Sequence, residues 1–209
     1  MTKLRIPFEP GSVYHIYHHA NGSDNIFRET DNYFFFLRKY KAYFLQILDT
    51  YAYCLLPNHF HMLIKFHESE KLLKYFQSKT KPKTELTEEN LHLLLSNQFK
   101  YFLISYSKSY NKYYSRKGSL FIESLERKKV NDENYFASLI RYIHFNPVYH
   151  RFTDHPLKWR FSSLYDIRQS KSGIINLNTI YQFFGGRDRL IEFHKKFQED
   201  EIDNIKHLL

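Results

Sequence analysis

Hydrophobic residues recur along this chain with two distinct periods. From Gly11 to Ala20 and from Tyr51 to Phe66, apolar and polar positions alternate as they do in strands. In the second segment Phe60, Met62, Ile64 and Phe66 share one face, while His59 and His61 share the other. Pro57 divides that segment into paired strands or a hairpin. Helical spacing predicts an aromatic-rich helix over Asp31–Leu48, a short one over Glu70–Lys79 and a long one from Glu88 to Lys112. The last of these carries the stripe Leu91, Leu94, Leu95, Phe99, Phe102 and Leu103, while Lys81–Thr87 reads as a polar connector. After Gly118 a strand through Leu120 and Ile122 leads to the basic run Arg127–Val130. A further helix begins near Asp132, capped by Asn131 or Asp132, repeats Tyr135, Leu139, Ile140 and Ile143, and is expected to end at Pro147. Trp159–Tyr165 packs the chain's return, with Ser162-Ser163 capping a short helix through Ile167, and another helix is expected over Asp188–Phe197. Helices alternating with strands in this way predict a layered α+β fold. The expected organisation is a main domain over residues 1–168 and a C-terminal helical extension over 169–209.

Composition narrows the class. The chain has 209 residues, 43% hydrophobic and 19% aromatic, enough to bury a substantial core. Its formal net charge of +9 favours an anionic partner, with nucleic acid ahead of a membrane surface. No apolar run is long enough to span a bilayer, and Met1–Pro7 lacks an apolar signal core, so a cytoplasmic protein with no membrane partner is expected. Cys54 is the single cysteine, which excludes an internal disulfide and any Cys-x-x-Cys zinc motif. The positive charge is concentrated between Lys108 and Lys129, where cations are interleaved with aromatics. Unpaired bases stack on aromatic rings and their backbone attracts cations, so Arg116, Lys117, Arg127, Lys128 and Lys129 are candidate phosphate contacts. The alternative is a solvated helix end with its tyrosines turned inward. Arg141 is a further candidate phosphate contact.

Two short motifs carry candidate chemistry. His59 and His61, on one strand face, can chelate a divalent ion without backbone distortion, or can stand there as a solvated or hydrogen-bonded pair. In the later helix Tyr142 and Asn146 are four residues apart and project from one face, which offers a nucleophile and a third ligand to the same ion. His144, two positions from Tyr142, faces elsewhere and reads as a packing residue or a phosphate contact.

Pro57-Asn58-His59-Phe60-His61 and Tyr142-Ile143-His144-Phe145-Asn146-Pro147-Val148 resemble the metal and nucleophile motifs of the single-tyrosine transposases with a His-hydrophobe-His motif, particularly the branch associated with repetitive extragenic palindromes. Weaker similarity in Val13–His15, Asp31–Tyr33, Gly118–Phe121 and Trp159–Tyr165 extends it over residues 10–166. The chain departs from the family pattern in His18-His19-Ala20-Asn21-Gly22, where Arg-Gly-Asn is common, and in Tyr149-His150-Arg151, where a small residue and glycine are common. Ser78–Thr87 and the last 40 or so residues lie outside the match.

The resemblance implies a ferredoxin-like antiparallel sheet with helices packed on it. It also implies Mg²⁺ or Mn²⁺ held by His59, His61 and Asn146, with Tyr142 as catalytic nucleophile. The implied reaction is cleavage and rejoining of single-stranded or hairpin DNA through a 5′-phosphotyrosine, by a monomer or a homodimer. Two other readings stay open: a hairpin-DNA-binding protein that does not cut, and a metal-dependent phosphoester hydrolase in which water attacks.

Overall fold

The structure, a computed structural model, describes residues 6–79, 86–122, 124–171 and 173–195. Most of the connector expected over Lys81–Thr87, and the end of the helix expected over Asp188–Phe197, lie outside the described residues. Four strands, β1 (Val13–His19), β2 (Leu48–Leu56), β3 (His59–Phe66) and β4 (Glu126–Val130), form one sheet in the order β2-β3-β1-β4. Every pair is antiparallel. Helix α1 (Thr30–Phe44) joins β1 to β2, and α2 (Ser69–Lys79) and α3 (Leu91–Tyr113) join β3 to β4. This is the ferredoxin-like β-α-β-β-α-β arrangement of an α+β fold. Helix α4 (Glu133–Tyr149) follows, then α5 (Ser163–Arg168), α6 (Leu177–Phe184) and α7 (Arg187–Lys195).

Alternation along the strands divides the sheet into two unlike faces. Tyr14, Ile16, Phe60, Met62, Ile64 and Phe66 pack with Phe36, Tyr40 and Phe44 of α1 and Leu95, Phe99, Phe102 and Tyr106 of α3 in one aromatic core. On the other face Ala52, Cys54, Leu56 and Leu63 meet Leu139, Ile140 and Ile143 of α4, with Ile167, Ile180 and Leu190 from α5, α6 and α7. The C-terminal helices therefore share the second core with the sheet.

Three local differences from the sequence reading have physical causes. Helix α1 stops at Phe44, and Leu48 already begins β2, a segment buried almost throughout because its two faces enter the two cores of the sheet. Leu120–Ile122 forms an isolated bridge, Phe121 to Ala20, and not a strand; the pairing strand is the charged Glu126–Val130, at the edge of the sheet where a polar sequence is tolerated. Pro147 lies inside α4 and does not end it. The missing N–H falls near the C-terminus, and the turn closes behind it through His150 N–H to Asn146 O (3.0 Å) and Phe152 N–H to Pro147 O (2.8 Å).

The β2–β3 turn is Pro57-Asn58, and its carbonyls also anchor the segment after β1. Ala20 N–H donates to Asn58 O (2.7 Å), while Ile26 and Phe27 N–H donate to Pro57 O (2.7 and 3.0 Å). The outer edge of β2 is covered by the returning chain, with bridges from Thr50 to Ile175 and from Cys54 to Ser162. Among the described residues no helix is long and apolar enough to cross a membrane.

Candidate active site

The site lies between β1, β3 and the second half of α4. Asp132 caps α4 by accepting Tyr135 N–H (2.7 Å). The helix lays Leu139, Ile140 and Ile143 into the second core, which turns Tyr142 and Asn146 towards the imidazoles of β3. Tyr142 meets His61 edge-on with ring centroids 5.6 Å apart, and His59 and His61 are 5.3 Å apart. All four expected residues thus come together within one chain. Tyr142 is 9% exposed and Asn146 fully buried.

Three further histidines and a tyrosine join them. The β1–β3 register sets His19 opposite His59 and Tyr17 opposite His61. The His19 and His59 rings stack at 4.6 Å, and Tyr17 stacks on His61 at 5.5 Å. His15 Nε2 lies 3.0 Å from His61 Nδ1. His150, just past α4, approaches His59 at 4.6 Å. A signal for the β1 members was present in the sequence, since His15, Tyr17 and His19 alternate on one strand face.

The electrostatics follow from burial. Desolvation lowers His15 and His59 to about 3 and holds His61 well below the ordinary histidine range, with repulsion between neighbouring imidazoles adding to the effect on His59 and His61. His19 and His150 are lowered for the same reason. The rings are therefore neutral at pH 7, the form that offers a lone pair to a cation. Burial raises the Tyr142 phenol, and the Asn146 amide works against that shift.

The donor set fits a divalent cation. His59 Nδ1 donates to Asn58 Oδ1 (2.8 Å), which leaves Nε2 as the unprotonated nitrogen. That Nε2 and Asn146 Oδ1 are buried acceptors with no hydrogen-bond partner. Asn146 lies near enough to favour protonated His59, yet no hydrogen bond joins the two side chains. If His61 Nδ1 donates to His15 Nε2, the Nε2 of His61 also keeps its lone pair. Among the described residues, however, no three His, Cys, Asp or Glu side chains form a ready-made ligand cluster, so the third donor would have to be the Asn146 amide.

The basic residues are dispersed. Lys128 pairs with His15 and lies on the site's face of the sheet, where its charge helps to lower His15. Lys117 is exposed in the segment after α3. Arg127 projects to the opposite face, its guanidinium 4.0 Å over the Phe8 ring, and Lys129 pairs with Glu9. Arg116 is an internal brace that binds Asp24 and the carbonyls of Gly118 (3.1 Å) and Ser119 (2.8 Å). Arg141 is 7% exposed, stacks 3.7 Å over Phe193 and donates to Phe193 O (2.7 Å), so it does not line the site with Tyr142. His144 is fully buried against His194 and Ser163, a packing position and not a phosphate contact.

No protein-family model matches the chain, and no curated protein matches it. Among solved structures, its fold is similar to that of a REP-associated tyrosine transposase bound to a REP hairpin, with a TM-score of 0.57. The match covers 78% of this chain and 82% of that one at 13% identity, which makes it a likeness of fold.

Proposed function

We propose that this protein is a metal-dependent DNA transesterase that cuts and rejoins single-stranded or hairpin DNA through a 5′-phosphotyrosine on Tyr142. The observation that carries the reading is the convergence of Tyr142, His61 and the orphaned acceptors of His59 and Asn146, on a fold shared with a hairpin-bound tyrosine transposase. A phosphodiester resists nucleophiles because its own charge repels them. A divalent cation such as Mg²⁺ or Mn²⁺, held by His59, His61 and Asn146, would neutralise that charge and polarise the phosphorus.

The chain's own residues supply the rest. Tyr142 Oη loses its proton and forms a bond to the 5′ phosphorus, the P–O3′ bond breaks, and the departing 3′ oxygen takes up a proton. A 3′ hydroxyl reverses the steps by attacking the phosphotyrosine, which conserves the bond energy and requires no nucleotide cofactor. Neutral, buried His59 and His61 keep their lone pairs available at pH 7. Asn146 favours the phenolate against the burial that opposes it. Lys128, and Lys117 more distantly, are the expected phosphate contacts.

The burial of Tyr142, which holds the phenol protonated, favours a second reading in which hairpin DNA is bound but not cut. The two are separated by incubating the protein with labelled hairpin DNA and Mg²⁺ or Mn²⁺, followed by denaturing electrophoresis and mass mapping. A covalent adduct on Tyr142 that is lost in Tyr142→Phe, with hairpin affinity unchanged, is the expected result. Binding without adduct under every metal condition would leave only the second reading.

A further inference from the structure

Behind the nucleophile, α4 is joined to α7 by a buried chain of hydrogen bonds whose proton positions follow from one another. His194 Nδ1 lies 2.8 Å from Leu190 O, a carbonyl that only accepts, so Nδ1 carries the hydrogen and Nε2 is the acceptor. The 2.7 Å contact to His144 Nδ1 is then donated by His144. His144 Nε2 must in turn accept, and Ser163 Oγ gives it its one hydrogen over 2.7 Å, a shorter contact than the 3.2 Å from the same hydroxyl to Tyr53 O. Ser163 Oγ accepts Tyr53 N–H at 2.8 Å, which ties the chain to β2. His144, His194 and Ser163 are each less than a tenth exposed, so substrate cannot reach this serine-histidine pair.

A second contact between the same two helices lies one turn earlier on α4. Arg141 donates to Phe193 O at 2.7 Å and stacks on the Phe193 ring at 3.7 Å. Phe145 and His194 lie almost parallel, their planes 7° apart. These contacts come from Arg141, His144 and Phe145, the residues interleaved with Tyr142 and Asn146; His144 leaves the helix about 160° from both of those, nearly opposite the site, and Arg141 about 100° from Tyr142. Packing alone allows a helix to slide or rotate on a sheet, whereas directional bonds to a buried partner fix both rotation and register.

We infer that His144, His194 and Arg141 are positioning residues: they clamp α7 to the back of α4 and thereby fix the rotation of α4 that holds Tyr142 against His61. The C-terminal helices are then a working part of the catalytic unit. This inference rests on the transesterase reading and makes a separate structural claim as well. His194→Ala removes the acceptor and leaves the His144 Nδ1 hydrogen buried without a partner, whereas His194→Gln returns an acceptor near the Nε2 position.

Two readouts test the inference, both made well below the unfolding temperature. Amide exchange of α4 peptides over residues 139–149, without DNA, is expected to quicken in His194→Ala and to return towards wild type in His194→Gln. The single-turnover rate of Tyr142 adduct formation at saturating hairpin should fall roughly ten- to a hundredfold in His194→Ala with hairpin Kd unchanged, and recover in His194→Gln. Unchanged exchange overturns the clamp. Faster exchange with an adduct rate within twofold of wild type overturns the positioning role and leaves a structural contact only. If His194→Ala does not fold, Arg141→Met, which keeps the stem over Phe193 but not the donor, is expected to lower the rate in the same way; an unchanged rate again overturns the inference. Wild-type protein that forms no adduct sinks the transesterase reading, while exchange still decides whether the clamp exists.

Discussion

The two faces of the sheet are made from alternate residues of the same strands, yet they bury unlike things. Towards α1 and α3, Tyr14, Ile16, Phe60, Met62 and Phe66 join rings such as Phe36 and Phe102, which meet at 5.0 Å in an edge-on contact. Towards α4, the residues one step along are His15, Tyr17, His19, His59 and His61. Orphaned acceptors on this side, His59 Nε2 and Asn146 Oδ1, are a cost to folding that the aromatic side can offset. One strand can thus serve stability and the proposed chemistry at once, because its period of two keeps the two sets of side chains apart. Substitutions on the two faces should separate the two properties.

The largest expected effect is on the aromatic face. Phe36→Ala should lower unfolding free energy by about 3–5 kcal/mol in denaturant titration, with hairpin affinity of the folded fraction unchanged. Equal losses of affinity and stability would show that the faces are coupled.

The next effect belongs to the α4 side and appears in acid. Burial lowers His194 to about 4, against an ordinary value near 6.5. Between those values the unfolded chain takes up a proton that the folded chain refuses. The contribution is fully present above pH 6.5 and is lost as pH falls towards 4, on the order of 1–3 kcal/mol. The other buried imidazoles of this side act in the same direction. Denaturant titrations at pH 7 and pH 4.5 measure it, and equal midpoints would contradict it.

Removing a proposed ligand should weaken cation binding and spare the fold. His59→Ala is expected to reduce Mn²⁺ affinity at least tenfold by calorimetry, with the unfolding midpoint unchanged or higher, because an orphaned buried acceptor is removed with the ring. The smallest effect is electrostatic. Lys128→Gln, on the site's face of the sheet, should weaken hairpin binding a few-fold and reduce the salt dependence by about one counterion, whereas Lys129→Gln, on the opposite face, should change neither.

These contrasts also mark what the sequence could reveal. Phe60, Met62, Ile64 and Phe66 against His59 and His61 were legible because strand alternation is local. Tyr142 with Asn146 was legible as a helical pair, although Pro147 suggested an earlier end to α4 than the structure has. The joining of His15 and His19 to the cluster depends on the β1–β3 register, which pairs residues some 40 positions apart and has no local signature. Arg141 misled for a related reason. Adjacency in sequence to Tyr142 places it about 100° away around the helix, facing Phe193, a partner supplied from far along the chain. Charge in Glu126–Val130 made an edge strand legible only as a basic run.

The Pro57-Asn58 turn has a consequence for how the protein tolerates change. Its carbonyls hold Ala20, Ile26 and Phe27, and its asparagine side chain holds His59, so one short turn is a joint for two routes of chain. A residue inserted between Pro57 and Asn58 would be more than a longer loop. Unless a bulge absorbed it, β3 would slip by one position against β2 and β1, turning imidazoles into the aromatic core and phenylalanines towards α4, while the segment leading to α1 lost its moorings. Grafts and affinity tags therefore belong elsewhere, and natural length variation should be absent at this corner of the molecule.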